Sequence, residues 1–118
     1  MSSTAKTCPS EEWEQAQLIS WWRKQGNPLI FHIPNGGKRG MNEARRLKTM
    51  GVTPGVPDLY CPEWRLWVEM KRQKGGSLSP SQKEMIAYLE GIGDRVIVAK
   101  GFEDAVAQLG YRTDGAKG

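Results

Sequence analysis

The chain has 118 residues, 38% of them apolar, and 17 Lys and Arg against 13 Asp and Glu give it a net charge of +4. That length suits one domain able to bury a single core without disulfides, and the composition is that of an ordinary globular protein. No apolar run is long enough to cross a bilayer, Met1–Pro9 lacks the apolar core of a secretory signal, and Cys8 and Cys61 are too few for a disulfide framework or a cysteine-rich zinc site, so a cytoplasmic protein is expected.

Residues 1–9 read as a disordered tail ahead of one domain over 10–110. Ser10 before Glu11 and Glu12 is an N-cap with acids in the first turn, and it predicts a helix running to about Gln25, where Gly26 and Pro28 stop it. Leu29–Ile33 is a short apolar run that reads as a strand, closed by the loop Pro34-Asn35-Gly36-Gly37. A basic stretch follows, in which Lys38, Arg39, Arg45, Arg46 and Lys48 stand against Glu43 alone. Such a run is either a solvated face or a phosphate-neutralising one.

Asn42–Met50 predicts a short helix ending at Gly51, and Thr53-Pro54-Gly55-Val56-Pro57 must be irregular because its prolines and glycine defeat regular hydrogen bonding. A hairpin comes next: a strand over Asp58–Cys61, a turn at Pro62–Arg65 and a longer strand over Leu66–Lys71. Ser79-Pro80-Ser81-Gln82 is a capping-box start for a helix to about Glu90. Arg95–Ala99 reads as a buried strand, Phe102–Leu109 as a closing helix, and 111–118 as a flexible tail. The order α-β-α-β-β-α-β-α predicts an α/β fold, a small mixed sheet flanked by helices.

The hairpin carries the chemistry. A turn centred between Glu63 and Trp64 places Tyr60 opposite Trp67 and Asp58 opposite Glu69. Directly opposed like charges destabilise a sheet, so two facing carboxylates need compensation. Strand period puts Lys71 on the same face as Glu69, and one ammonium leaves an excess negative charge. A hard divalent cation, Mg2+ or Mn2+, would remove it, polarise a phosphoryl oxygen and activate water that Lys71 orients or deprotonates. Phosphodiester hydrolysis is the matching reaction. Among the remaining aromatics, Trp13, Trp21, Trp22 and Trp67 read as core or dimer contacts and Trp64, in the turn, as an exposed ring; His32 reads as a packed or hydrogen-bonded side chain.

Pro57-Asp58, ten residues and then Glu69-Met70-Lys71 resembles the signature of the PD-(D/E)XK nuclease superfamily. With "GVTPGVPDLY", "LWVEMK", the Ser-Pro-x-Gln helix start and "IPNGGKRG", the chain resembles the virus-type replication-repair nuclease (VRR-NUC) family from about Glu11 to Leu109, in the stand-alone form found in phages and prophages. The resemblance implies a restriction-endonuclease-like core, with Asp58, Glu69 and the Met70 carbonyl as metal ligands, Lys71 as catalytic lysine and Gln82 as supporting glutamine. It also implies a first-helix glutamate at the metal. Glu11 shares a face with Gln15, Leu18 and Trp22, and Glu14 shares another with Leu18 and Trp21; Glu11 is the first choice.

Asn35, Gly36, Gly37, Lys38 and Arg39 resemble the family's loop beside the active site, and together with Arg45, Arg46, Lys48, Arg72 and Lys74 they are the expected DNA contacts. The implied enzyme is a metal-dependent DNA endonuclease selective for branched DNA such as four-way junctions, acting as a homodimer, in the host cytoplasm if phage-encoded. The competing reading is a non-catalytic DNA-binding module of a phage replication or repair assembly, and the intact Asp58, Glu69 and Lys71 argue against it.

Overall fold

The computed structural model describes residues 8–34 and 40–117, with side chains to residue 110. Residues 1–7 of the expected N-terminal tail and the loop residues Asn35–Arg39 lie outside the described residues. The observed elements are helix α1 (Glu11–Lys24), strand β1 (Phe31–His32), helix α2 (Met41–Thr49), strand β2 (Leu59–Cys61), a 3-10 turn (Pro62–Trp64), strand β3 (Leu66–Lys71), helix α3 (Pro80–Gly91), strand β4 (Arg95–Lys100) and helix α4 (Phe102–Lys117). This is the predicted order.

One sheet runs β1-β2-β3-β4, antiparallel across the first two pairs and parallel between β3 and β4. The parallel pair requires a crossover, and α3 provides it. Prolines keep the first strands short: Pro28 and Pro34 fence β1 to two residues of the five expected, and Pro57 and Pro62 fence β2 to three. The sheet face formed by Leu59, Cys61, Leu66, Val68, Met70, Ile97 and Ala99 is the core face, covered by Leu18 and Trp22 of α1 and by Ala105 and Leu109 of α4.

A buried carboxylate and a glycine fix how α1 meets α4. Glu14 is buried in the apolar layer, where its Oε1 accepts from the Phe102 backbone N–H at 2.6 Å and its Oε2 from Gln73 Nε2 at 2.7 Å. The carboxylate therefore caps an otherwise unsatisfied donor in the first turn of α4. Gly101 makes the approach possible: it has φ +97°, and a Cβ there would stand 2.7 Å from Gln73 Cγ.

Three expectations change. Trp64 is not an exposed ring, because the 3-10 turn folds it back onto the core at 5.1 Å from the Trp22 centroid; Trp13 is instead half exposed. Arg65, at φ 48°, closes the turn and is tied to Asp94 and the Ile92 carbonyl. The closing helix runs past Leu109 to Lys117, since Gly110 weakens a helix without ending it and no proline follows.

Candidate active site

Asp58 sits at the junction of the irregular segment and β2. Gly55, at φ +87°, lies so close to the start of α3 that a Cβ would fall 2.3 Å from the Ser81 carbonyl oxygen, so only glycine lets this loop rest against the helix. The Asp58 carbonyl accepts from the Ile33 N–H at 2.8 Å, and His32 Nδ1 lies 3.0 Å from it. The same nitrogen lies 3.2 Å from Gln15 Nε2. Protonated, it donates to the carbonyl; unprotonated, it accepts from the amide. Asp58 Oδ2 accepts from the Met70 N–H at 2.8 Å, occupying the ladder position where β2 has already ended.

The observed register, Leu59↔Val68 and Tyr60↔Trp67, is the predicted one, and continued by one pair it sets Asp58 against Glu69. The Met70 N–H faces Asp58, and the carbonyl of the same strand residue points to the same edge. Glu69 and Lys71 share the face opposite the core, as expected, but that face is not solvated there. Both residues are buried, with Lys71 Nζ 3.4 Å from Glu69 Oε2.

Gln82 brings α3 to this pair. Its Oε1 accepts from the Ser79 N–H at 2.8 Å, completing the capping box, and from Lys71 Nζ at 2.9 Å, while its Nε2 donates to Glu69 Oε2 at 2.9 Å. Both donors to Oε1 lack any acceptor capacity, so the amide can be oriented only one way. The helix-start role and the site role of Gln82 coexist in one side chain.

Charge crowding shows in the acidities. Burial pushes the Glu69 carboxyl up to about 7, the neighbouring Asp58 charge and Glu11 add to the rise, and Lys71 opposes it. Burial also raises Asp58, against the Met70 N–H, His32 and Lys71. A pair of carboxylates held this way is short of positive charge.

The acids open into a cavity of about 610 Å³ whose walls include Glu11, Gln15, His32, Asp58, Glu69 and Gln82. Glu11 thus faces the cavity, whereas Glu14 is turned inward with both oxygens engaged. Among the described residues, no hydrogen bond reaches Asp58 Oδ1 or Glu69 Oε1, and no three His, Cys, Asp or Glu side chains converge into a ready metal cage. Two carboxylates, a strand carbonyl and room for water fit Mg2+ or Mn2+, which keep several waters, and do not fit a metal needing an all-protein shell.

The expected DNA contacts divide. The loop residues Asn35, Gly36, Gly37, Lys38 and Arg39 lie outside the described residues. Arg45, Arg46 and Lys48 project from α2, which buries no side chain; Arg46 is paired with Glu43 at 2.9 Å. Arg72 donates to the Cys8 carbonyl at 3.3 Å, and Lys74 is exposed. Sequence reasoning placed Gln15 on the Glu11 face but assigned neither it nor His32 to the cavity wall; the spacing of Glu11 and Gln15, one helical turn apart, was the available signal.

The model of the VRR-NUC domain matches residues 9–103. A solved structure described as a VRR_NUC domain protein is similar over 89% of this chain and 88% of that one, with 30% identity and a TM-score of 0.75. Among curated proteins none matches. No helix of the described residues is long and apolar enough to cross a membrane.

Proposed function

Because the chain belongs to the VRR-NUC domain family, a nuclease-type domain that acts on DNA, we propose that it is a divalent-metal-dependent endonuclease hydrolysing phosphodiester bonds in branched DNA such as four-way junctions. The observation that carries this reading is a buried lysine held by Gln82 beside two crowded carboxylates that line a common cavity, each with one oxygen that no hydrogen bond of the described residues reaches. A fold retained only for binding gains nothing from burying such a group, because an ammonium and a carboxylate out of water cost several kcal/mol before their attraction is counted.

Asp58, Glu69 and the Met70 carbonyl would hold Mg2+ or Mn2+, with Glu11 reaching it across the cavity. The ion would supply Lewis-acid polarisation of a phosphoryl oxygen and a lowered pKa for water. Gln82 keeps the Lys71 ammonium aimed at Glu69 rather than at bulk solvent. Lys71 orients the attacking water and takes part in moving its proton. Asp58 is fixed through its carbonyl by Ile33 and through its carboxylate by Met70, so the ligand does not depend on a mobile rotamer.

The exposed cations of α2, with Lys74 and the loop Asn35–Arg39, would meet the phosphate backbone, an interaction that positions DNA without reading bases. Arg46 and Arg72 would exchange their present partners for phosphate. Selection of a branched substrate follows from this backbone-only contact set and from a homodimer, since one cavity per chain cuts one strand.

The test is a panel of end-labelled single strands, duplexes, flaps, forks and four-way junctions with Mg2+, Mn2+ or chelator. Cleavage of junctions with metal and none with chelator is expected. Cleavage indifferent to chelator would remove the metal mechanism. Binding without cleavage in either metal would leave the non-catalytic module.

A further inference from the structure

A second depression, of about 290 Å³, has Lys71, Gly76, Ser77, Lys83, Val98 and Lys100 in its walls and none of the acids. Its charge is one-sided. Lys71 and Lys100 are register partners on the parallel strands β3 and β4, so their side chains leave the same sheet face next to each other, and Lys83 joins them from α3, one residue after Gln82. Like charges on directly paired strand positions destabilise a sheet.

Lys71 is neutralised towards the acid cavity by Glu69 and Gln82. Lys83 and Lys100 are not: among the described residues neither forms an ion pair, and no acid lines the depression. The neighbouring Asp104 is committed through Oδ2 to the Lys100 backbone N–H and to Gln108. Gly76 holds the following loop against β3, since a Cβ there would meet Lys71 Cβ at 3.0 Å and Arg72 N at 3.1 Å. The floor is thus fixed and the ammonium groups are free.

We propose that Lys83 and Lys100 form a subsite for a backbone phosphate adjacent to the scissile one, on the Lys71 side of the strand being cut. The inference rests on the nuclease reading and adds a subsite to it. Because Glu69 and Gln82 line the acid cavity while Lys71 and Lys83, their near neighbours on β3 and α3, line the depression, a strand with one phosphate at the carboxylates and running on past Lys71 brings a neighbouring phosphate over Lys83 and Lys100. Two cations there neutralise it and release its counterions.

The test is fluorescence anisotropy of a labelled four-way junction in chelator, from 50 to 200 mM salt, with wild type, the Lys83→Gln/Lys100→Gln double variant and Lys24→Gln. Lys24 is the control because it lies at the end of α1 remote from Glu11, roughly 20 Å along the helix. The double variant should flatten the slope of log affinity against log salt by about 1 and weaken binding about tenfold, with Lys24→Gln like wild type. A single uncharged methylphosphonate linkage, moved stepwise around the wild-type cut position, should penalise wild type at one neighbouring position and leave the double variant indifferent there. A double variant with the wild-type slope, or equally penalised by every methylphosphonate, would overturn the subsite while wild-type cleavage kept the nuclease reading. Wild type that neither bound nor cut DNA would overturn both, before any variant was compared.

Discussion

Asp58→Asn should make the metal-free protein more stable while abolishing cleavage. Glu69 has its carboxyl raised from 4.5 to about 7, first by burial and second by the Asp58 charge. One pKa unit corresponds to ~1.4 kcal/mol, so keeping Glu69 ionised above pH 7 costs the metal-free fold on the order of 3 kcal/mol. Asp58 is the second cause of this rise, and a charge pair facing across two strands is worth up to about 1 kcal/mol. Asparagine keeps an oxygen to accept from the Met70 N–H and removes the repulsion. The sign follows from proton counting: between pH 4.5 and about 7 the folded state binds a proton that the unfolded chain has released, so wild-type stability falls as pH rises through that window. Urea denaturation in chelator should therefore show the variant about 1 kcal/mol more stable than wild type at pH 8 and nearly equal at pH 5. A variant less stable by the same margin at both pH values would show that the Met70 hydrogen bond, and not charge crowding, governs this position.

Metal should reverse the burden: at ~100 times its Kd, Mn2+ should raise wild-type stability by about 2.7 kcal/mol, and calorimetry at pH 6 should register proton release as Glu69 ionises. Affinity should rise with pH up to about 7, where Glu69 loses its proton. Lys71→Met should lower single-turnover cleavage at least ~100-fold with Mn2+ binding retained, and should destabilise the metal-free fold above pH 7, where Glu69 is left ionised and unpaired, more than at pH 5. Gln82→Ala should lose both ~1 kcal/mol of stability from the broken capping box and most cleavage, and Gln82→Glu, which keeps the helix-start oxygen but sets another carboxylate against Glu69 Oε2, should fail to recover the cleavage and should be less stable at pH 8 than at pH 5. Gly55→Ala, forced against the Ser81 carbonyl at positive φ, should destabilise by about 1–3 kcal/mol, read by thermal melting.

The hairpin was legible because strand period and turn centring are local rules, and they place Asp58, Glu69 and Lys71 without knowledge of the rest of the chain. Gln82 was legible for a similar reason, since a capping box is written in four consecutive residues. The choice between Glu11 and Glu14 was not, because both share Leu18 by helical spacing. What separates them is that Glu14 meets Gln73 and Phe102, 59 and 88 residues away, and only the assembled core brings those donors to it. Trp64 failed the same way: a turn position suggests exposure, but the 3-10 geometry and the packing partner Trp22 come from tertiary contact. The burial of Lys71 likewise depends on α3 closing over a sheet face that alternation alone would leave wet.

Because one amide both starts α3 and steadies the lysine, glutamine at position 82 is a poor witness to chemistry. A descendant that had stopped cutting DNA would still need it to begin its helix. Lys71 serves only the buried acid beside it, and once that site is freed from catalysis the pair would give way together to apolar residues that fill the same space more cheaply. Sorting working copies from retired ones among related genomes should therefore key on residue 71.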